Sequence, residues 1–155
     1  MDGYGRDVSG RLPRYVFPDG VYHVGTRAVA ETAAYRDDDD HRFFLGLLGA
    51  VASRYEWVVH AFCLMTTHYH LVVDALREQL SGGMHRLNGV YAEQYNARYA
   101  RKGHLWGDRF WSGMIESDEE LEATYRYVLN NPVRAGLCAS AADWPWSASR
   151  YDSDG

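Results

Sequence analysis

The sequence has little cysteine and no long hydrophobic segment, and both absences restrict the class of protein. Its two cysteines, Cys63 and Cys138, are too few for a disulfide scaffold and lack zinc-site spacing. We interpret them as reduced cytosolic thiols. No apolar stretch follows Met1, which argues against a signal peptide. The longest mostly apolar run, residues 43–52, is too short to cross a membrane. We therefore expect a soluble, cytoplasmic protein.

The chain also lacks an excess of positive charge. Its formal net charge at pH 7 is −5, which argues against a nucleic-acid partner because phosphate binding usually needs a basic face. Basic residues are nevertheless concentrated within residues 84–115, where only Glu93 and Asp108 oppose them. Composition alone leaves two alternatives open, a nucleic-acid-binding patch or an ordinary solvated face. The residues concerned are Arg86, Arg98, Arg101, Lys102 and Arg109.

The length of the chain fits one globular domain. A sequence of 155 residues can bury a substantial core, and it contains no repeat or linker that would divide it. We therefore interpret residues 1–155 as a single domain. Residues 1–12 and 151–155 are polar, so we expect both ends to be flexible.

The apolar pattern predicts alternating strands and helices. β-Branched and aromatic residues predict strands at 21–27, 57–64 and 68–74, the last two forming a hairpin. Apolar residues that fall on one helical face predict helices at about 39–54 and from about 80. They also predict a third helix, which is capped by Ser117 and ends before Pro132. Residues 105–115 predict a strand pair or one bent strand. The order β-α-β-β-α-β-α indicates an α+β fold of ferredoxin-like or RRM-like type, with an antiparallel sheet and helices mainly on one face.

A pair of histidines on a predicted strand is the sharpest local feature. His68 and His70 flank Tyr69, and alternate residues of a strand point to the same face, so the two imidazoles lie side by side. Two imidazoles make half of a metal site. A motif this short also occurs by chance, so metal binding and an ordinary hydrogen-bonded pair both remain open here.

A tyrosine and an asparagine stand out on the third predicted helix. Tyr127 and Asn131 are four residues apart, so their side chains share one flank. Helical geometry places Tyr125 near the apolar stripe and Tyr127 about 100° away from it. We interpret Tyr125 as a core residue. Tyr127 is explained either as a boundary tyrosine or as a reactive one, and Asn131 either as a helix-end residue or as a metal ligand.

Together these residues predict a phosphodiester chemistry. Two imidazoles and an amide oxygen leave open positions on a divalent ion that phosphate oxygens can fill. Mixed nitrogen and oxygen ligands suit Mg²⁺ or Mn²⁺. An ordinary phenol, with a pKa of about 10, is a poor nucleophile at neutral pH and needs such activation. The chain contains no serine nucleophile elbow, phosphate loop or HExxH motif that would favour another reaction.

The order of motifs along the chain resembles that of the HUH single-tyrosine transposases of the IS200-like family, and especially the REP-associated tyrosine transposases. The resemblance extends from about residue 13 to about residue 151. Single segments are weakly specific, but the ordered set is specific, with NPVRAGL after a tyrosine-bearing helix as its strongest element. The matching segments are VYHVGTRAV, DDDDHRFFLGLL, FCLMTTHYHLVV, GHLWGDRFW, YRYVLNNPVRAGL and DWPWSASRY.

The resemblance implies an enzyme that cuts and rejoins single-stranded DNA near a hairpin. Members of the family act through a 5′-phosphotyrosine intermediate with a divalent metal, and a DNA partner implies association with the nucleoid. The family's paired histidines fall on His68 and His70, its nucleophile on Tyr127, and its third metal ligand on Asn131. The basic residues of 84–115 are then expected to contact the DNA backbone.

The sequence departs from the family within the histidine motif and just before it, where Thr66-Thr67 replaces the proline turn that is often present. Tyr69 stands where a plain hydrophobic residue is usual, and we expect the fold to tolerate its largely apolar ring. Two other functions remain as alternatives, a non-catalytic hairpin-binding relative and a metal-dependent hydrolase that uses water. Relatives are monomers or dimers that exchange active-site helices, so either a monomer or a homodimer is expected.

Overall fold

The computed structural model describes residues 19–76 and 78–150. The predicted flexible ends, 1–12 and 151–155, lie outside these residues. Within them the chain forms five strands and four α-helices. The strands are β1 (Gly20–Arg27), β2 (Val58–Leu64), β3 (His68–Ala75), β4 (Trp111–Ile115) and β5 (Ser147–Ser149). The helices are α1 (Asp38–Arg54), α2 (Gln79–Arg98), α3 (Asp118–Leu129) and α4 (Asn131–Arg134).

The strands form one antiparallel sheet in the order β4-β1-β3-β2-β5. β3 lies at its centre, paired with β1 on one side and with β2 on the other. In this register Gly25 of β1 stands opposite His70, and Arg27 stands opposite His68. The centre of the sheet therefore carries the histidine motif.

Acidic residues and side-chain caps set the starts of α1 and α3. The Asp37 carboxylate accepts a hydrogen bond from the Asp40 amide, and the Ser117 hydroxyl accepts one from the Glu120 amide. Three acidic residues fill the first turn of each helix, where the helix dipole favours negative charge. Both starts agree with the sequence prediction to within about two residues.

The alternating side chains of the sheet build two separate cores. Tyr69, Leu71 and Val73 pack against α1 and α2 on one face. Val72 packs on the other face, where α3 contributes the fully buried Val128. His68 and His70 share the face of Val72 because strand side chains alternate. The sheet thus separates the two longest helices from the histidine pair, and α3 covers the histidine side.

The α+β fold expected from the sequence is confirmed, with α1 and α2 on one face. Of residues 105–115, only Trp111–Ile115 forms a strand, while Trp106 makes a single bridge to Ala28. The sequence pattern did not predict α4 or β5, which are only four and three residues long. Within the described residues, no helix combines the length and apolar character needed to cross a bilayer.

Tyr69 is accommodated because its phenol is hydrogen-bonded inside the core. Its ring is fully buried against Phe44 and Trp106. Its hydroxyl donates to the Asn88 side-chain oxygen and lies 3.0 Å from the Thr26 hydroxyl. The buried hydroxyl of Tyr69, which a plain hydrophobic residue would lack, therefore has hydrogen-bond partners.

Replacing Tyr69 with phenylalanine is expected to destabilise the protein by about 1–2 kcal/mol, because the side-chain oxygen of the half-buried Asn88 loses its donor. Urea unfolding followed by circular dichroism measures the change. Tyr127→Phe is the matched control, since half of the Tyr127 side chain is exposed and its hydroxyl should contribute little to stability. Equal unfolding midpoints for wild type and Tyr69→Phe would contradict the account.

Candidate active site

The central strand brings two imidazoles onto one face of the sheet. The rings of His68 and His70 lie 5.1 Å apart between centroids and are nearly perpendicular. His70 is 7% exposed, and His68 is half-buried. The pair predicted from the sequence is therefore formed, and its inner member is largely shielded from water.

Each imidazole of the pair is held through its Nδ1 atom. His70 Nδ1 lies 3.0 Å from Nε2 of His23, a residue of the neighbouring β1. His68 Nδ1 lies 3.2 Å from the hydroxyl of Thr67, in the turn that precedes β3. Within the described residues both Nε2 atoms are left for another ligand. Holding one ring nitrogen in this way fixes the tautomer and orientation of a metal-binding histidine.

The environment keeps these imidazoles neutral near pH 7. Burial lowers the pKa of His23 and of His68 to about 4, with the charge of Arg27 adding to the effect on His68. Burial lowers the pKa of His70 to about 3. Coulombic repulsion from His23 and His68 in their protonated forms, and from Arg134 and Arg27, adds to this effect. Because only a neutral imidazole has a free lone pair, the pair is in the form that binds a metal ion.

The lowered pKa values predict a loss of stability in acid. Below the ordinary pKa of 6.5, and down to about 3, the unfolded chain protonates His70 while the folded protein does not. Falling pH in this window therefore favours unfolding. His70→Phe should flatten the pH dependence of the unfolding free energy by at most about 1.4 kcal/mol per pH unit, the effect of one proton. Urea midpoints measured in EDTA from pH 7 to about pH 4 test this, and identical slopes would contradict it.

α3 places Tyr127 beside the imidazoles. Val128 fixes the inner side of the helix against the sheet, which turns Tyr127 to its open flank, where it is 50% exposed. The Tyr127 ring lies 6.2 Å from that of His70 and 6.2 Å from that of His23. The phenol is thus reachable from solvent and adjacent to the histidines.

An arginine at the end of α4 holds the Tyr127 ring from its other side. The Arg134 guanidinium lies 4.0 Å from the centroid of the phenol ring, within the range of a cation–π contact. Its Nη2 also donates a 2.7 Å hydrogen bond to the Tyr127 carbonyl oxygen. These two contacts fix both the ring and the cation at the same open surface.

Asn131 supplies a buried amide with an unsatisfied atom. It is the first residue of α4, and its Nδ2 atom is buried without a hydrogen-bond partner among the described residues. Since the nitrogen and oxygen of a side-chain amide are assigned from their hydrogen bonds, a flip of Asn131 would place its oxygen at this position. Across residues 19–76 and 78–150, no three His, Cys, Asp or Glu side chains are grouped to hold a metal. A metal ion held by the three donors predicted from the sequence, His68, His70 and Asn131, would therefore need outside oxygens to complete its coordination shell.

The basic residues predicted as DNA contacts lie away from the histidine face. Arg86 and Arg98 are on α2, across the sheet, and Arg101 and Lys102 follow this helix directly. Arg98 binds Asp37 and Asp40, each at 2.6 Å. Arg101 donates to the Asn96 side chain and the His104 carbonyl, while Arg86, Lys102 and Arg109 are exposed. Arg98 and Arg101 are therefore partly committed to structural contacts.

Four side chains that surround the histidines were not assigned to this site from the sequence. His23 and Arg27 arrive through β1, and Arg27 stands opposite His68. Trp111 at the start of β4 is 39% exposed and lies edge-on to His23, with 4.8 Å between ring centroids. Arg134 belongs to the NPVRAGL segment. Alternation along the first strand, which puts His23 and Arg27 on one face, was the available signal.

A large cleft lies apart from this centre. A cleft of about 770 Å³ opens between α2 and the segment that leads into β4. Trp106 and Phe110 provide aromatic surface, and Arg109 lines the cleft. Trp106 is 9% exposed and donates to the Asn88 carbonyl, so it is mainly a packing residue. The histidine pair and Tyr127 lie on the other face of the sheet, so cavity size alone does not locate the candidate site.

Sequence comparisons identify relatives over nearly the whole chain. The family model described as "Transposase IS200 like" matches residues 19–131. A candidate REP-associated tyrosine transposase of Haemophilus influenzae is 28% identical over 164 aligned positions, covering 98% of this chain and 88% of the relative. The matched region includes both histidines, Tyr127 and Asn131.

Solved structures with this fold include two transposase structures. A REP-associated tyrosine transposase bound to a REP hairpin superposes with a TM-score of 0.72 at 17% identity, covering 95% of this chain and 82% of the other. A candidate transposase from Deinococcus radiodurans R1 gives a TM-score of 0.52 at 16% identity, covering 84% and 96%. At such low identity these two comparisons establish the shared fold.

Proposed function

The chain belongs to the IS200-like transposase family, and on that basis we propose that it cuts and rejoins single-stranded DNA through Tyr127. One observation carries the proposal. An exposed phenol lies beside a neutral, buried imidazole pair, with 6.2 Å between the ring centroids of Tyr127 and His70. A boundary tyrosine with only a packing role would not need such neighbours. We infer that Tyr127 is the nucleophile of the reaction.

The proposed step exchanges one phosphorus–oxygen bond for another. The Tyr127 oxygen attacks a backbone phosphate, and the bond from phosphorus to the 3′ oxygen of the upstream nucleotide breaks. The phenol loses its proton, and the departing 3′ oxygen takes one up from solvent. The product is a 5′-phosphotyrosine and a free 3′ hydroxyl. Attack of a 3′ hydroxyl on this linkage releases Tyr127 and rejoins DNA, because the two bonds are of similar energy.

The proposed reaction uses a divalent ion bound beside the phenol. His68 and His70 would hold it through their free Nε2 atoms, and Asn131 through its amide oxygen. We propose Mg²⁺ or Mn²⁺, since imidazole and oxygen donors suit both. Bound there, the ion would supply Lewis-acid polarisation of the phosphate. The protein's own contribution is to keep both imidazoles neutral and the phenol oriented.

Two arginines supply positive charge at the point of attack. Arg134 lies on the Tyr127 ring, and Arg27 stands opposite His68 at the end of β1. Arginine recognises phosphate through paired N–H donors. We propose that both contact the phosphates on either side of the cleaved bond. Phosphate contacts more distant from that bond remain a proposal for Arg86, Arg98, Arg101, Lys102 and Arg109.

A hairpin-bearing single strand is the proposed substrate. A structural neighbour of this chain is described as bound to a REP hairpin. The cations near Tyr127 and those on and after α2 lie on different sides of the sheet. A folded strand with a double-stranded stem and a single-stranded flank is large enough to reach both. Such a substrate also explains DNA binding by a chain of net charge −5, because local patches act over a Debye length of about 10 Å.

A single assay tests the proposed function against its two alternatives. Single strands that carry a hairpin, labelled at either end, are incubated with the protein and Mn²⁺ and then denatured in detergent. We expect cleavage in which the fragment downstream of the cut stays attached to the protein, at the peptide that contains Tyr127. Cleavage without any attached fragment would point to a hydrolase that uses water. Binding without cleavage would point to a non-catalytic hairpin-binding protein, and either outcome contradicts the proposal.

A further inference from the structure

Of the two side-chain hydrogen bonds described for the histidine pair, the one with His23 is the shorter. His23 lies on β1 opposite Val72, so its side chain shares the face of His70. Its Nε2 atom lies 3.0 Å from Nδ1 of His70, and the two rings stack at 28° with 5.2 Å between centroids. Neither the phosphotyrosine step nor the proposed donor set uses this residue.

Trp111 fixes His23 in this position. Its ring meets that of His23 at 87° and that of His70 at 60°, with centroids 4.8 Å and 5.4 Å away. The same ring lies so close over Gly25 that a side chain there would collide with it. Glycine at this position leaves room for the indole of Trp111 beside β1, where it contacts His23. The imidazole is therefore confined between Trp111 and His70.

The hydrogen bond between the two imidazoles has only two possible directions. The two ring nitrogens lie 3.0 Å apart, so one of them carries the N–H and the other the lone pair. A neutral imidazole carries one N–H and one lone pair. If His23 Nε2 donates, then the proton of His70 is on its Nε2 atom, which then has no lone pair. If His70 Nδ1 donates, then His70 Nε2 keeps its lone pair.

We propose that His23 is a positioning residue that accepts a hydrogen bond from Nδ1 of His70 and thereby holds the Nε2 lone pair of His70 ready for a divalent cation. This inference rests on the proposed function, in which His70 binds Mg²⁺ or Mn²⁺. The chain then uses two different acceptors for its two imidazoles, His23 for His70 and the Thr67 hydroxyl for His68. Such partners orient a ligand and raise its basicity.

The direction of the bond is measured on the metal-free protein. Nitrogen-15 shifts and couplings of the histidine rings, recorded in EDTA at pH 7.5, distinguish the two tautomers. We expect the proton of His70 on Nδ1 in the wild type. A proton on Nε2 of His70 would overturn the proposal without any variant.

Variants test whether His23 causes this arrangement. His23→Phe keeps a ring between Trp111 and His70 but removes the acceptor, and His23→Gln restores an acceptor oxygen. For His23→Phe we expect a shift of His70 toward the Nε2–H tautomer and an affinity for Mn²⁺ about 10- to 100-fold weaker, measured by calorimetry. His23→Gln should recover part of that loss. His85→Phe, an exposed histidine on α2, should match wild type in both measurements.

The outcomes separate this inference from the proposed function. If His23→Phe leaves both the His70 tautomer and the Mn²⁺ affinity unchanged while wild type still forms the DNA adduct, the inference fails and the function stands. If the tautomer and affinity change as expected but no adduct forms on any strand, His23 is a positioning residue of a metal site and the nuclease proposal fails.

Discussion

Tyr127→Phe is expected to lower the rate of DNA cleavage by at least about 1,000-fold, because loss of a nucleophile removes the reaction path itself. The substitution deletes one oxygen and keeps the ring that lies under Arg134 and beside His70. Binding of a hairpin-bearing strand should therefore stay within about threefold of wild type. Single-turnover cleavage in Mn²⁺ measures the rate, and fluorescence anisotropy measures the binding.

Tyr125→Phe is the matched control for this variant. It makes the same chemical change two residues earlier on α3, at a side chain that is partly buried in the core beside Val128. Cleavage by Tyr125→Phe should remain within a few-fold of wild type once folding has been checked by circular dichroism. If Tyr127→Phe cleaves as fast as wild type, or if the two variants are equally impaired, Tyr127 is not the nucleophile.

His70→Ala is expected to weaken Mn²⁺ binding by more than about 100-fold. Loss of a residue that only hydrogen-bonds a metal ligand already lowers metal affinity by about 10- to 100-fold. Cleavage should fall by at least the same factor at limiting Mn²⁺ concentration. Hairpin binding in EDTA should change little, because the phosphate contacts proposed for Arg27 and Arg134 do not involve His70. Calorimetric titration with Mn²⁺ and cleavage over a range of Mn²⁺ concentrations measure the two effects.

His85→Ala provides the corresponding control for loss of a histidine. His85 is exposed on α2, across the sheet from the histidine pair. Its replacement should leave both Mn²⁺ affinity and cleavage unchanged. Cleavage by His70→Ala that requires the same Mn²⁺ concentration as wild type would mean that the reaction uses a metal held elsewhere, or none.

Local sequence patterns predicted the elements that carry the candidate site. Alternation along β3 placed His68 and His70 on one face, and helical spacing on α3 separated Tyr127 from the core residue Tyr125. Both inferences depend on the period of one strand or one helix, which the sequence determines directly. The α+β order followed from these periods, and α1 and α3 also had clear start signals, such as the cap at Ser117, whereas α2 has no side-chain cap.

The partners of those residues depend on pairing between distant segments, which one sequence does not specify. The bond between His23 and His70 joins residues 47 positions apart, and it exists because β1 pairs with β3 in one particular register. Arg134 reaches Tyr127 only because the chain continues from α3 into the short α4. The basic residues of 84–115 were grouped by position along the chain, but the sheet separates most of them from Tyr127. Their clustering in sequence therefore did not indicate a common surface.

The central claim is that the phenol of Tyr127 and the imidazoles of His68 and His70 meet at one cation-binding centre within a single chain. Side-chain NMR signals recorded with substoichiometric Mn²⁺ test it most directly, because the ion broadens only nearby nuclei. We predict selective broadening of His68, His70, Asn131 and Tyr127 while the side chain of Asn96 stays sharp. Broadening confined to the acidic start of α1, at Asp37 to Asp40, would contradict the claim.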